Sequence, residues 1–172
     1  MCHEEFELTV ILGIDPGSRV TGYGVIKSEG QKMSYIDSGC IRTSGGELSP
    51  RLLEIFNGIC ELMEAYRPQE AAIEQVFMHK NVNAALKLGH ARGVAMVAVA
   101  SHRIPIYEYS PRQMKQALVG YGAAQKEQVK QMVMCLLDLK QAPQTDAADA
   151  LGIAICHRHM HTGLQKLLGI GV

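Results

Sequence analysis

The apolar run Leu8 to Ile14, LTVILGI, breaks off at Asp15-Pro16-Gly17. Aliphatic and β-branched residues suit a buried strand, and Pro followed by Gly closes a tight turn. The segment therefore predicts a strand that delivers Asp15 at its end. Val20 to Lys27 and Met33 to Ile41 predict two more strands, with the polar stretch Ser28 to Lys32 around Gly30 as their hairpin turn. These three read as an antiparallel meander.

Helical periodicity begins beyond the polar loop Thr43 to Glu47. Ser49 reads as a cap and Pro50 as the first helical residue, followed by Leu52, Leu53, Phe56, Ile59, Cys60 and Met63 at helical spacing, with an exit at Pro68. Glu70 to Glu74 predicts a short buried strand, Val76 to Asn83 a loop, Ala84 to His102 a long helix and Ile104 to Tyr109 another strand. Pro111 to Val119 and Lys126 to Leu139 predict helices separated by Gly120-Tyr121-Gly122. A last helix starts near Gln144 and runs to about His161. Strands joined through helical crossovers run parallel, so the expected class is α/β: a mixed five-stranded sheet flanked by helices. Residues 1–8 are expected as an N-terminal extension, 9–161 as one domain and 162–172 as a short, glycine-containing tail.

The bulk properties fit one such domain. The chain has 172 residues, 47% hydrophobic and 20% charged, which excludes an intrinsically disordered class. A formal net charge of zero excludes a uniformly basic surface but not a local basic patch. Cys2, Cys40, Cys60, Cys135 and Cys156 form no CxxC pair, so free thiols are expected and a zinc site on them is not. The acidic start MCHEEFEL has no apolar signal-peptide core, and Val94 to Ala100 is too short to cross a membrane. A cytoplasmic protein without membrane contact is expected.

Four carboxylates carry the chemistry. Asp15 and Glu74 each end a predicted strand, where α/β sheets place their reactive groups. Asp146 and Asp149 lie three residues apart on one helical face, surrounded by Ala147, Ala148, Ala150, Leu151 and Ile153. Each acid alone has an ordinary explanation: a turn residue at Asp15, a strand-end salt bridge at Glu74, a helix-start acid at Asp146. Together, with two of them embedded in apolar sequence, they predict an acidic cluster that repels itself unless cations fill it. Oxygen ligands suit Mg²⁺ or Mn²⁺, and two such ions are the standard arrangement for phosphodiester hydrolysis. A metal-dependent nuclease or phosphotransferase is one reading, and a sugar-kinase-like or ATPase domain competes with it. The segment Gly13 to Gly17 is not a P-loop, because it lacks the Lys-Ser/Thr ending.

Four blocks, in order, add a resemblance: ILGIDPGSRVTGYGVI, AIEQVFMHKNVNAALKLGHARGVA, EYSPRQMKQALVGYGAAQKEQV and QTDAADALGIAI. Together they closely resemble the RuvC family of bacterial Holliday junction resolvases, over roughly Thr9 to His159. The resemblance implies a ribonuclease-H-like fold, a homodimer acting on four-way DNA junctions, and two Mg²⁺ per subunit, with Mn²⁺ as a substitute. It implies that Asp15, Glu74, Asp146 and Asp149 are the catalytic metal ligands. Paired symmetric nicks leaving 5′-phosphate and 3′-hydroxyl ends follow, with RuvA and RuvB, the branch-migration complex, as partners. The acidic stretch Cys2 to Leu8 and the short tail depart from the family, whose members often carry a longer basic tail.

Candidate DNA contacts lie in the second and third of these blocks. Phe77, in the polar loop after Glu74, matches a family aromatic that works on unpaired bases, although a core plug is the plain alternative. Lys115 and Lys126 match family lysines. Lys126 opens a helix after a glycine-rich break, where it and the helix start can meet a phosphate. Arg112, Lys80, His79 and Lys87 are weaker candidates. The small residues Ala85, Gly89, Gly93 and Ala100 in the long helix fit either packing on the sheet or, by resemblance, the dimer interface. The rival functions are a nuclease of this fold acting on RNA–DNA hybrids or structured RNA, and a junction-binding protein without catalysis.

Overall fold

The structure is a computed structural model that describes residues 8–30, 32–76 and 81–168, with side chains described as far as His161. Its order is β1 (Leu8–Asp15), β2 (Val20–Glu29), β3 (Lys32–Arg42), α1 (Leu48–Tyr66), β4 (Glu70–Glu74), α2 (Val82–Ser101), β5 (Ile106–Tyr109), α3 (Pro111–Val119), α4 (Lys126–Leu136) and α5 (Thr145–Leu168). The sheet runs β3-β2-β1-β4-β5. The first three strands pair antiparallel, while β1 with β4 and β4 with β5 pair parallel. This is the mixed five-stranded sheet expected from the sequence.

Strand parity divides the core. Leu12 and Ile14 of β1, Val25 of β2, and Ala71 and Ile73 of β4 pack with α1 and α2 on one face. The alternate residues Ile11, Ile26 and Ala72 pack with α3, α4 and α5 on the other. Side chains in a strand alternate faces, so Asp15, two residues from Gly13, and Glu74, two from Ala72, both belong to the α5 side. α5 lies close on that face because glycines underlie it. A Cβ on Gly13 would come 2.1 Å from the Ala150 carbonyl oxygen, and one on Gly22 2.1 Å from that of Asp146. Only residues without a side chain allow that approach.

Several boundaries differ from the expected ones. The β2–β3 hairpin is tighter, with Gly30 at φ 56° and both strands running past Lys27 and before Met33. Helix α1 begins at Leu48, so Ser49 lies inside its first turn rather than capping it; Glu47 is the cap residue and makes no side-chain cap bond. Pro50 is still tolerated, because the first-turn amides have no intrahelical acceptor. Asn81 caps α2, accepting from the Ala84 N–H at 3.1 Å, which starts that helix earlier than Ala84. β5 starts at Ile106 rather than Ile104, and α4 ends at Leu136 rather than Leu139. α5 runs past His161 to Leu168, into the stretch expected as tail.

Candidate active site

The chain's fold brings the four carboxylates to one edge. β1 and β4 are parallel neighbours, with Ile14 opposite Ile73, so Asp15 and Glu74 emerge side by side at the same end. α5 starts at that end, with Asp146 in its first turn. The antiparallel partner of Asp15 is Gly22, on whose bare backbone the Asp146 carbonyl sits. The backbone of α5 is thus docked directly on the strand next to Asp15, which sets the height of Asp146 and Asp149 over the sheet.

Electrostatics record the crowding. Burial first, then the hydrogen bond and charge of Glu74, then the charges of Asp149 and Asp146, push the Asp15 carboxyl far above its ordinary range. Glu74 is pushed up chiefly by burial and by Asp149, offset by its hydrogen bond with Asp15 and by Lys126 and Lys115. Asp149 is raised by burial against the pull of Lys126. The hydrogen bond between the two raises Asp15 and lowers Glu74, which favours a proton on Asp15. Among the described residues, no three acidic, imidazole or thiol side chains already surround one point at coordination distance. The donor set nevertheless fits a hard cation: four oxygen-bearing side chains converge, and the charged form of three of them is held at a disadvantage that a divalent ion would remove. A divalent ion held there by these side chains would compete with protonation of Asp15.

Lys126 reaches in from the start of α4, with its Nζ 3.6 Å from Asp149 Oδ2, while its own side chain is 72% exposed. Lys115 on α3 is near enough to depress both Glu74 and Asp149. Arg112 is exposed one turn earlier, with its stem against Gly122, and is not drawn into the cluster. The structure therefore gathers Asp15, Glu74, Asp146, Asp149, Lys126 and Lys115. Phe77, His79 and Lys80 lie outside the described residues. Lys87 is exposed on α2.

Two features escaped the sequence reading. Fully buried His157 donates from Nε2 to Glu70 at 2.7 Å, and its Nδ1 lies 2.8 Å from the Tyr109 hydroxyl, with its ring stacked on Tyr107 at a 4.4 Å centroid distance. A histidine directly after the apolar run Leu151 to Cys156 was the available signal. The second is a group of arginines, Arg19, Arg42 and Arg51, around the loop at residues 43–46. These are scattered in sequence and gathered only by the sheet.

The described cysteines, Cys40, Cys60, Cys135 and Cys156, are free thiols. Among the described residues, no helix is long and apolar enough to cross a membrane.

Comparison with known proteins agrees with this geometry. A family model described as crossover junction endodeoxyribonuclease RuvC matches residues 11–157. The chain is 69% identical over 163 residues to the protein of that name from Legionella pneumophila strain Philadelphia 1, covering 94% of each chain. It is 56% identical over 162 residues to that of Shewanella sp. strain W3-18-1, again covering 94% of each. Among solved structures, it resembles Thermus thermophilus RuvC in complex with Holliday junction substrate at a TM-score of 0.84 and 36% identity, covering 89% of this chain and 94% of that one. The yeast mitochondrial Holliday junction resolvase Ydc2, at a TM-score of 0.67 and 14% identity, shares the fold. The five-stranded mixed sheet with its flanking helices is thus the ribonuclease-H-like fold of these homologues. With the family match spanning most of its length, the chain belongs to the RuvC family of crossover junction endodeoxyribonucleases.

Proposed function

We propose that the protein is a Mg²⁺-dependent endonuclease that resolves four-way DNA junctions by paired, symmetric nicks. The observation that carries this reading is the convergence of Asp15, Glu74, Asp146 and Asp149 at one sheet edge, with Lys126 beside Asp149. Asp15, Glu74, Asp146 and Asp149 would hold two Mg²⁺ per subunit, with Mn²⁺ as a substitute. Magnesium bound there supplies Lewis-acid stabilisation of the developing phosphate charge and lowers the cost of deprotonating the attacking water.

The remaining chemistry belongs to the chain. The carboxylates accept protons and fix the orientation of the site, because they stand on strand ends and on a helix seated against the sheet. Lys126 is exposed enough to leave Asp149 for a non-bridging phosphate oxygen, where it offsets negative charge as the bond breaks. Lys115 and Arg112, on the neighbouring helix, fit phosphate contacts that hold the strand in register. Phe77 and Lys80 follow Glu74 in sequence. Phe77 is assigned a stacking or wedging role on unpaired bases at the crossover, and Lys80 a backbone contact. Hydrolysis leaves 5′-phosphate and 3′-hydroxyl ends.

A four-way junction offers two equivalent strands, so two symmetry-related sites are needed. A homodimer through the outer face of α2 and α1 is supported by Leu53, Leu86 and Val97, which are 59%, 57% and 61% exposed. It is also supported by a groove between the two helices at Phe56, Gly89 and Gly93. Gly89 and Gly93 point into open space rather than onto the sheet, which Ala91, Ala95 and Ala98 face instead. RuvA and RuvB are the proposed partners, and the cytoplasm the proposed compartment.

The test is nicking of end-labelled synthetic four-way junctions, with linear duplex and RNA–DNA hybrid controls, in Mg²⁺ and in EDTA. Paired Mg²⁺-dependent cuts confined to the junction are expected. Preferential cutting of the hybrid would move the protein to another branch of the fold. Tight junction binding without cutting would make it a binding protein.

A further inference from the structure

At the same edge of the sheet as the carboxylates, but on the β3 side, lies a second cationic surface. The turn after β1 and the loop at residues 43–46 enclose a cavity of about 280 Å³, lined by Arg19, Arg42 and Arg51 with Thr43, Ser44 and the two glycines after them. No acidic side chain lines it. Arg51 is 6% exposed, and its guanidinium donates to the Ser18 carbonyl from Nε at 3.0 Å and again from Nη2. Thr43 donates its N–H at 3.0 Å and its hydroxyl at 3.3 Å to the Arg19 carbonyl, which ties the two loops together. Arg42 donates to Gln144 Oε1 at 2.6 Å, immediately before α5 and its Asp146.

The walls are therefore fixed before any ligand arrives. Among the described residues, none of the three arginines forms an ion pair. Glu54 senses the Arg51 charge, yet its carboxylate is occupied by the N–H and hydroxyl of Ser44. Concentrated positive charge in a preformed concavity attracts an anion, and planar guanidinium forks match phosphate oxygens.

We propose that this cavity is a phosphate subsite for the backbone of the strand being cut. The inference rests on the junction-cutting reading above and adds a contact to it. Arg42 is paired with Val20, next to Arg19, and β3 lies two strands from β1. Two strand spacings are about 9–10 Å, roughly the axial rise of three nucleotides. The strand would cross the sheet edge with its scissile phosphate at the carboxylates and a phosphate two or three nucleotides away in the arginine cavity. The loop glycines at residues 45 and 46 put no side chain in its way, with nothing within 4 Å of a Cβ on either.

The experiment measures junction affinity against salt in Ca²⁺, beside cutting in Mg²⁺, for wild type, R19Q, R42Q, the double variant and R42K. Arg19 and Arg42 are exposed and can be changed without opening the core; Arg51 is left alone. Each loss of an arginine is expected to lower the slope of log K against log salt by about 0.9, and R42K to restore it. A scan of single neutral methylphosphonates is expected to find one position, two or three nucleotides from the cut, that weakens wild type several-fold and leaves the double variant unchanged. Slopes and scans identical in wild type and variants, with wild type cutting normally, would remove the subsite and leave the junction-cutting reading intact. Wild type that neither binds nor cuts junctions would remove both. Tight binding of inorganic phosphate alone, lost in the double variant and without effect on junction affinity, would make the cavity a site for a free anion and overturn the backbone assignment.

Discussion

The backbone of Gly22 is the seat of Asp146: a Cβ at position 22 would lie 2.1 Å from the Asp146 carbonyl oxygen and 2.4 Å from its carbonyl carbon. Neither atom can swing aside as a side-chain tip could, so a methyl group must lift the start of α5. Gly22→Ala is expected to cost about 1–3 kcal/mol of stability, the usual range for overpacking a close contact. It should slow junction cutting by about 100-fold, the order that a displacement near 1 Å costs a reacting geometry. Junction affinity should change little, because no DNA contact is removed. Urea unfolding and single-turnover cutting measure the two effects. Normal cutting in a destabilised protein would mean that the strand gives way at Gly22 and α5 keeps Asp146 and Asp149 in place.

Neutral replacements of the carboxylates separate chemistry from binding. Asp15→Asn, Glu74→Gln, Asp146→Asn and Asp149→Asn are each expected to lower cutting by at least about 1,000-fold, the scale of losing a preorganised charge from the transition state. Junction affinity in Ca²⁺ should be retained. Full cutting by any one of them would remove that residue from the site.

The same cluster makes stability depend on pH and on Mg²⁺. Asp15, Glu74 and Asp149 all titrate above their ordinary values in the folded protein, first through burial and then through the charge of neighbouring carboxylates. At a pH above the ordinary carboxylate range, the folded state therefore binds more protons than the unfolded one. Stability is fully present below that range and is lost as pH rises towards the raised values. In EDTA, the Tm should fall between pH 6 and 8.5. Mg²⁺ should restore it, with a larger shift at pH 8.5 because the site then holds fewer protons to displace. Asp15→Asn should flatten the EDTA profile. A Mg²⁺ shift of equal size at both pH values would contradict this account.

What was legible in the sequence follows from what is local. The strand LTVILGI, the meander and the helical crossovers could be read because period and turn chemistry reside in adjacent residues. Asp15 and Glu74 could be placed at strand ends for the same reason. Strand pairing was not local: it took the parallel β1–β4 contact to set those two acids side by side. The Ser49 cap failed because a Ser-Pro pair signals a helix start to within a turn and no better. The stretch expected as tail from residue 162 begins as helix instead, because Gly163 did not stop α5, which is described as far as Leu168. Gly22 and Gly24 in TGYGV did carry a signal, since glycine inside a strand marks close approach, but nothing local says what approaches. The arginine cavity needs β2, β3 and α1 assembled before it exists.

His157 holds the middle of α5. It bonds Glu70 at the start of β4, while Glu74 at the end of the same strand faces the carboxylate cluster. His157→Ala leaves the half-buried Glu70 and the buried Tyr109 hydroxyl without this partner. A loss of about 2–4 kcal/mol at pH 7 is expected. The hydrogen bond to His157 holds Glu70 below the usual carboxylate range. Its contribution is therefore present above the ordinary carboxylate value and lost as pH falls through the depressed one. The stability gap between wild type and variant should narrow as urea titrations move from pH 7 to below the usual carboxylate range. A gap constant over that range would make the loss one of packing alone.

The dimer prediction turns on Leu86 and Val97. Both project from the outer face of α2, beside a groove that Gly89 and Gly93 leave open, and an apolar strip of that kind is costly to leave in water. A two-fold interface places the same patch on both subunits, so one substitution introduces a charge twice, facing itself. Leu86→Glu and Val97→Glu are expected to give folded monomers by light scattering, with the Tm lower by the loss of association alone and independent of protein concentration. Because the carboxylate cluster is untouched, any residual cutting should be single, uncoupled nicks rather than paired ones. On a junction with distinguishable labels, the two strands would then be cut with independent kinetics. Paired cutting by a monomeric variant would place the coupling in the DNA and not in the α2 interface.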